Sequence, residues 1–114
     1  MIVYGIKNCD TVKKARRWLD DRNIDYQFHD VRNDGLTTEH LQQWLQSVSW
    51  EDLLNKRGTT WRQLDNADKQ DLDQTAAIAL MLRQPTLIKR PVVEHNGQCT
   101  IGFNESLFQE HYGH

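Results

Sequence analysis

Several residue types are scarce in this chain of 114 residues, and each scarcity excludes a class of protein. Only 2 cysteines are present, which excludes a disulfide-stapled scaffold and a zinc site built from thiolates. No apolar run approaches the roughly 20 residues of a membrane-spanning helix, so no membrane association is expected. The formal net charge is −2, and without a basic excess no general affinity for nucleic acid is expected.

The N-terminal segment lacks the basic region and long apolar stretch of a secretory signal peptide. We therefore expect a cytoplasmic protein in which Cys9 and Cys99 are free thiols. The chain length fits a single domain over residues 1–114. The 5 histidines, among them the terminal His111 and His114, show no ligand spacing, so no metal site is expected.

The first third of the chain predicts a strand, a helix and a second strand. Residues 2–6 form a short apolar run of β-prone side chains, typical of a buried strand. Helical spacing of apolar residues follows over 11–22, with Asp10 or Thr11 as the expected N-cap. Alternating residues over 24–30 predict the second strand.

The region from about 35 to 85 is predicted to be a helical insertion. Thr37 is expected to cap its first helix, and a second helix is expected over 50–57, ended by Gly58. A third helix follows, and then a fourth over 73–82. The fourth is apolar almost all round, so we expect it to be sandwiched between other elements.

Strands return near the end of the chain. Asn96-Gly97 separates two β-prone runs within residues 87–101, which predicts a hairpin, and Asn104 is expected to cap a last helix. A β-α-β unit followed by a hairpin and a helix is typical of a thioredoxin-like mixed sheet. The sequence therefore predicts an α/β fold of this kind with an inserted helical subdomain.

Cys9 is the main candidate for chemistry, because it lies between the first strand and the first turn of the following helix. Unpaired backbone N–H groups and the positive end of the helix favour a thiolate at this place. Lys7, Lys13 and Lys14 lie nearby in sequence and add positive charge. A small buried packing residue is the alternative interpretation, but the placement favours a nucleophile.

No second thiol is close to Cys9 in sequence, since Val12 stands where a Cys-x-x-Cys motif would have its second cysteine. Cys99 would serve as a resolving thiol only if the fold brought it near Cys9. It shares a strand face with Ile101, so we expect it to be a buried packing residue.

For three further residues, Arg57, Arg90 and Pro91, the local pattern alone predicts only ordinary structural roles. A trans bond is expected between Arg90 and Pro91, because only about 5–6% of such bonds are cis. A solvated side chain is expected for Arg90. Arg57, near the end of the predicted second helix of the insertion, is expected to interact with the helix dipole.

Two segments carry a resemblance to a known family. Gly-Ile-Lys-Asn-Cys-Asp-Thr-Val-Lys-Lys-Ala-Arg-Arg-Trp-Leu (5–19) and Leu-Ile-Lys-Arg-Pro-Val-Val (87–93) resemble the arsenate reductase (ArsC) family, within it the branch of the Spx and YffB proteins. The resemblance covers essentially the whole chain. It implies a thioredoxin-like fold with a helical insertion, Cys9 as nucleophile, Arg90 as an anion-binding partner and a cis Pro91 facing the cysteine.

The sequence also departs from the pattern of this family. The arsenate reductases of the family use three arginines around the cysteine, and the aligned positions here are Asn55, Arg90 and a residue near Gly102. Only one of the three is therefore an arginine, although Arg57 lies close to the first. The Spx regulators, which bind RNA polymerase, typically have a second cysteine where Val12 stands here.

From these residues and the resemblance we expect a glutathione-dependent thiol reductase that uses Cys9 and Arg90 and has no bound cofactor. Glutathione is the expected co-substrate and partner. The alternatives are a regulator that binds RNA polymerase, like Spx, and a true arsenate reductase. The residues expected to bind the substrate are Lys7, Asn8, Lys13, Arg57 and Pro91.

Overall fold

A four-stranded mixed sheet forms the centre of the computed structural model, which describes residues 1–113. Its strands are β1 (Ile2–Gly5), β2 (Gln27–Asp30), β3 (Val92–His95) and β4 (Gln98–Ile101). They lie in the order β2-β1-β3-β4; β1 is parallel to β2 and antiparallel to β3, which is antiparallel to β4. The predicted α/β sheet is confirmed. His114, the last residue of the histidine pair noted above, lies outside the described residues.

Seven α-helices accompany the sheet within the described residues, and five of them form the insertion between β2 and β3. They are α1 (Asp10–Asp21), α2 (Thr38–Trp44), α3 (Trp50–Leu53), α4 (Thr59–Gln63), α5 (Asn66–Lys69), α6 (Gln74–Arg83) and α7 (Glu105–Tyr112). Side-chain caps set several starts: the side chains of Thr37 and Asn104 accept backbone N–H bonds at the N-termini of α2 and α7, as predicted.

The two faces of the sheet have different partners because successive strand residues point to opposite sides. Val3 and its cross-strand neighbour Val93 contact α1 and α7. Tyr4 and its neighbour Val92 point the other way, towards the helical insertion. The two apolar clusters are made up as follows: Val3, Ala15, Trp18, Leu19, Val93, Phe108 and Tyr112 on the first face, and Tyr4, Leu41, Trp44, Leu80, Met81 and Val92 among those on the second.

The predicted helix over 50–57 is shorter than expected, because it ends at Leu53. Leu54 is extended and forms an isolated antiparallel bridge with Ile88, and the Asn55 N–H donates to the Leu87 carbonyl at 2.6 Å. These hydrogen bonds come from a segment more than thirty residues away, so no local pattern in 50–57 could reveal them. The expected interaction of Arg57 with the dipole at the C-terminus of this helix is therefore wrong, since the helix ends at Leu53 and the helix end next to Arg57 is the N-terminus of α4.

Two further differences concern the insertion. Helix α5 and a short 3-10 turn at Pro85–Leu87 are present without having been predicted. Helix α6 was expected to be sandwiched, but only Ala77, Leu80 and Met81 are buried, while Ala79 is exposed. Alanines on its outer face are simply tolerated at the surface.

The hairpin turn between β3 and β4 has the predicted form. Asn96 and Gly97 have φ values of 53° and 78°, which is the left-handed geometry of a two-residue hairpin loop. Within residues 1–113, no helix has the length and apolar character needed to cross a membrane.

Candidate active site

Cys9 is the N-cap residue of α1, one position before the helix begins at Asp10. The expected caps, Asp10 or Thr11, are therefore wrong by one or two positions. Cys9 has extended backbone angles, φ −91° and ψ 123°, and its carbonyl accepts the Lys13 N–H at 3.0 Å. This geometry places the sulfur where the first unpaired N–H groups of the helix point.

The environment of the Cys9 sulfur favours the thiolate. Partial burial raises the pKa of the thiol, but the backbone N–H of Val12, the hydrogen bond and charge of Arg90 and the backbone N–H of Thr11 outweigh it. The net result is a pKa below the ordinary value of a cysteine. The side chain is half-buried, so the sulfur remains within reach of a substrate.

Arg90 is held beside Cys9 by the backbone that precedes it. Its Nη1 donates to the Thr86 carbonyl at 2.9 Å and to the Ile88 carbonyl at 3.3 Å. The Nε atom is buried and has no hydrogen-bond partner among the described residues. A guanidinium oriented in this way offers an unused buried donor next to the thiolate, as an anion-binding group would.

The bond between Arg90 and Pro91 is cis. The trans bond expected from base frequencies alone is therefore wrong, and the cis bond implied by the family resemblance is confirmed. Arg90 is also half-buried rather than solvated, because the 3-10 turn before it accepts its Nη1. Pro91 is buried, and its carbonyl accepts the Gly102 N–H at 2.8 Å.

Asp30 is a residue of the site that the sequence analysis did not identify. It is 4% exposed at the end of β2, and its Oδ1 accepts the backbone N–H groups of Arg32 at 2.8 Å and Asn33 at 3.1 Å. Burial raises the pKa of this carboxyl, but the N–H groups of Asn33, Arg32 and Lys7 and the Lys7 charge lower it overall. Asp30 therefore supports the loop that carries Cys9. An aspartate at the carboxyl end of a strand parallel to β1 was the available clue.

The other residues expected to bind substrate are less closely associated with the sulfur. Lys7, Asn8, Lys13 and Arg57 are all exposed, and none of them is among the causes of the lowered pKa of Cys9. Lys7 acts instead on Asp30. Of the expected cations, the structure brings only Arg90 into direct interaction with Cys9.

Cys99 is buried and lies towards the opposite end of the sheet from Cys9. In the strand register, Cys99 of β4 lies opposite Glu94 of β3, and Glu94 lies opposite Ile2 at the start of β1. Cys9 instead follows the other end of β1, beyond Gly5. Three residues of strand span about 10 Å, which already exceeds the roughly 7 Å limit between the Cα atoms of a disulfide. The predicted packing role of Cys99 is confirmed, and the fold does not bring it within reach as a resolving thiol.

Two positions aligned with the family's arginines, Asn55 and one near Gly102, hold no arginine here, and both lie near the segment that carries Arg90 and Pro91. The Asn55 N–H is bonded to the Leu87 carbonyl, close to the chain that leads to Arg90. Gly102 is bonded to Pro91 and has a φ of +79°, a conformation that strains any residue with a side chain. A single arginine therefore serves the sulfur. Among residues 1–113, no group of three or more His, Cys, Asp or Glu side chains is arranged to hold a metal ion.

The sequence model described as "ArsC family" matches residues 4–111. The chain belongs to the ArsC family. An uncharacterized protein of Haemophilus influenzae is 52% identical to it over 107 residues, covering 94% of each chain. The solved structure of a YffB protein is 49% identical, covers 96% of each chain and superposes with a TM-score of 0.92. The ArsC-family resemblance and the thioredoxin-like architecture are confirmed.

The same ArsC-family chain is also similar to a transcriptional regulator. The "Global transcriptional regulator Spx" of Lactiplantibacillus plantarum is 29% identical over 107 residues, covering 92% of this chain and 80% of the regulator. The YffB structure and the Spx regulator are therefore both similar to this chain, which agrees with the branch that residues 5–19 and 87–93 indicate.

Proposed function

We propose that this ArsC-family protein is a glutathione-dependent thiol reductase with Cys9 as its only nucleophile. The observation that carries the proposal is the combination of a thiolate-favouring Cys9 with a second cysteine too distant to react with it. A reductase with one reactive thiol needs a thiol from solution to complete its cycle. Glutathione is a small thiol that keeps cytoplasmic cysteines reduced. We propose the cytoplasm as the location of the protein.

The proposed reaction has two thiol–disulfide exchanges. In the first, the Cys9 thiolate attacks the glutathione sulfur of a mixed disulfide; the old S–S bond breaks and the substrate leaves as a thiolate that takes a proton from water. In the second, a glutathione thiolate attacks the sulfur of the glutathione bound to Cys9. Glutathione disulfide leaves, and the Cys9 thiolate is regenerated. Overall, the mixed disulfide and one glutathione thiol become the substrate thiol and glutathione disulfide, so the disulfide bond passes from the substrate to glutathione and one glutathione thiol is consumed per turnover.

The residues around Cys9 are assigned to binding glutathione. The unpartnered Nε of Arg90 is available to a carboxylate or to the developing thiolate, because Nη1 is already used by backbone carbonyls. Pro91 forms the buried side of the site. Lys7, Asn8 and Lys13 are assigned to its exposed rim, with Arg57 as a more distant contributor; no bound cofactor enters the scheme.

Two measurements test this proposal. The protein is incubated with glutathione disulfide and examined by mass spectrometry, and we expect one glutathione adduct on Cys9 and none on Cys99. Steady-state reduction of a small glutathione mixed disulfide is then followed with glutathione reductase and NADPH. Cys9→Ser should abolish turnover, whereas Cys99→Ser, the matched control, should retain it. An adduct confined to Cys99, or turnover that survives Cys9→Ser, would exclude the mechanism.

A second function is supported by the similarity to Spx. We propose as the alternative a regulator that binds RNA polymerase through its protein surface. Retention of RNA polymerase subunits by the purified protein, unchanged in Cys9→Ser, would favour this alternative. Val12 occupies the place of the second cysteine, so a dithiol switch in this loop has no chemical basis.

A further inference from the structure

A groove with a volume of about 750 Å³ runs along α1 beside the start of α7. It begins at Thr11, two residues after Cys9, and extends to Arg22. Trp18 and Phe103 contribute its apolar lining. Thr11 and Arg22 are eleven residues apart on the helix, so the groove is about 16 Å long, which matches about five residues of an extended peptide.

Two cations in this groove have no partner among residues 1–113. Lys14 and Arg17, one turn apart on α1, are exposed and line the groove. The ion pair between Arg83 and Asp68, at 3.6 Å, is the sole one within residues 1–113. Lys14 and Arg17 make no side-chain hydrogen bond to any described residue either. Their charges are therefore free to act on a ligand.

The neighbouring arginines of α1 differ in this respect. Arg16 donates from Nε to the Tyr26 hydroxyl at 3.1 Å and stacks over the Phe28 ring at 4.0 Å. Arg22 stacks over the Trp18 ring at 3.9 Å. The Arg16 guanidinium packs α1 against β2 and the residue before it, and the Arg22 guanidinium packs against Trp18 of α1 itself. Lys14 and Arg17 are therefore the cations of the groove that have no partner among residues 1–113.

The acidic residues of the groove lie away from Cys9. Asp21 adjoins Arg22 in the last turn of α1. Glu105 lies with Trp18 and Arg22 where this groove meets a second, shallower cavity. Among the residues that line the groove, the half next to Cys9 therefore carries only the positive charges of Lys14 and Arg17, whereas the far half is mixed; the exposed Asp10, one turn before Lys14, lies outside the lining.

We propose that this groove binds an acidic stretch of a protein substrate next to the cysteine that is being reduced. The inference rests on the proposed thiol reductase activity and names its substrate class: glutathionylated proteins with aspartate or glutamate flanking the modified cysteine. In the first exchange, the protein is the leaving group, so its flanking residues lie beside Cys9 while its thiolate departs. Exposed cations without a partner attract acidic residues by long-range electrostatic forces, and dissolved salt screens these forces.

The test compares three glutathionylated peptides of equal length, with glutamate, glutamine or lysine on both sides of a single cysteine. At low salt, we expect kcat/KM to follow the order glutamate, glutamine, lysine, with roughly fivefold or more between the first and the last. The spread should shrink at high salt. Equal values for the three peptides at low salt would overturn the proposal.

A pair of charge-reversal variants locates the effect. Lys14→Glu/Arg17→Glu should abolish or invert the ratio between the glutamate and lysine peptides. The control Lys69→Glu/Arg83→Glu changes the net charge equally but lies in the helical insertion, outside the groove, and should keep the wild-type ratio. If the ratio of kcat/KM between the glutamate and lysine peptides falls equally in both variants, the preference reflects net charge, and the assignment to this groove is wrong.

A binding measurement separates this inference from the proposed activity. A fluorescent glutamate-rich peptide without cysteine is titrated with the protein and followed by anisotropy, which needs no turnover. Binding that Lys14→Glu/Arg17→Glu weakens and Lys69→Glu/Arg83→Glu retains supports the groove, even if the mixed disulfides are not reduced. If the peptide does not bind but a small mixed disulfide is turned over, the groove has no role in binding acidic residues, while the proposed reductase activity stands.

Discussion

The indole Nε1 of Trp44 donates a 2.8 Å hydrogen bond to Oε1 of Glu94 and so joins the helical insertion to the sheet. Trp44 is fully buried at the end of α2, and Glu94 lies on β3. The second oxygen of Glu94 accepts the Tyr4 hydroxyl at 3.3 Å. Burial, the negative charge of Glu94 and this hydrogen bond raise the pKa of Tyr4 to about 12. One carboxylate thus satisfies donors from both parts of the molecule.

Removal of this carboxylate should destabilise the junction. In Glu94→Ala, the Trp44 indole and the Tyr4 hydroxyl both lose their acceptor, and an unsatisfied buried donor costs about 1–3 kcal/mol. Urea unfolding should show a lower free energy by about that amount. Glu51→Ala, at an exposed position of α3, is the control and should change it little. Equal stability of the two variants would mean that the junction does not depend on Glu94.

Cys9 should react with iodoacetamide at a lower pH than an ordinary thiol. Burial works against the charged form, but the helix N–H groups and Arg90 lower the pKa of Cys9, while burial raises the pKa of Cys99. The rate of alkylation measured against pH, with each site followed by mass spectrometry, should therefore give two separate profiles. Cys99→Ser should leave the Cys9 profile in place. A Cys9 reaction no faster than that of Cys99 at neutral pH would contradict the nucleophile assignment.

Loss of the Arg90 guanidinium should raise the pKa of Cys9 and weaken anion binding. A hydrogen bond to a charged group contributes about 1.5–3 kcal/mol, so reactivity at neutral pH in Arg90→Ala should fall about tenfold or more. Arg90 also donates to the carbonyls of Thr86 and Ile88, so circular dichroism and urea unfolding must accompany the kinetics. Arg90→Lys keeps the positive charge and should recover part of the effect. An unchanged alkylation profile in Arg90→Ala would remove Arg90 from the site.

The stability of the protein should increase with pH through the titration of His40. Burial and the positive charge of His29 lower the pKa of His40, against the opposing charges of Glu94 and Glu39. The folded state then binds the proton less readily than the unfolded state, so stability falls as the pH drops below about 6.5.

The control for this pH dependence is a substitution that keeps the helix cap. The Nδ1 atom of His40 accepts the Thr37 N–H at 3.1 Å in a capping box, a position where glutamine serves equally well. His40→Gln should therefore retain the cap while reducing the slope of the unfolding free energy between pH 5 and 7. An identical slope in the variant would assign the dependence to other groups.

Reduction of arsenate should be weak or absent. Of the three arginines that the ArsC-family arsenate reductases use, the chain keeps Arg90, while the other two positions fall on Asn55 and near Gly102, where no arginine stands. Each missing charge-assisted contact would be worth about 1.5–3 kcal/mol to a bound oxyanion. Arsenate-dependent oxidation of NADPH with glutathione, glutaredoxin and glutathione reductase measures the activity. Efficient turnover would show that other groups replace the arginines.

Local patterns were sufficient wherever the deciding interactions are between residues close in sequence. The Asn104 cap, the Asn96-Gly97 turn and the apolar face of α1 were predicted correctly because each depends on a few neighbouring residues. The same holds for the position of Cys9, which lies at the junction of a strand and a helix as the local pattern indicates. The backbone N–H groups around Cys9 belong to one segment of about ten residues, whereas Arg90 and Asp30 come from distant parts of the chain.

The sequence by itself determined the order of the four strands, the presence of most helices, the candidate nucleophile Cys9 and the family. The tertiary structure decided what depends on distant contacts: where the helix beginning at Trp50 ends, which cation touches Cys9, and that Asp30 supports its loop. It also decided that Cys99 cannot resolve a disulfide at Cys9, because strand register sets their separation. Local periodicity carries no information about which distant segment supplies a hydrogen bond or a charge, so these features appear only when the chain is folded.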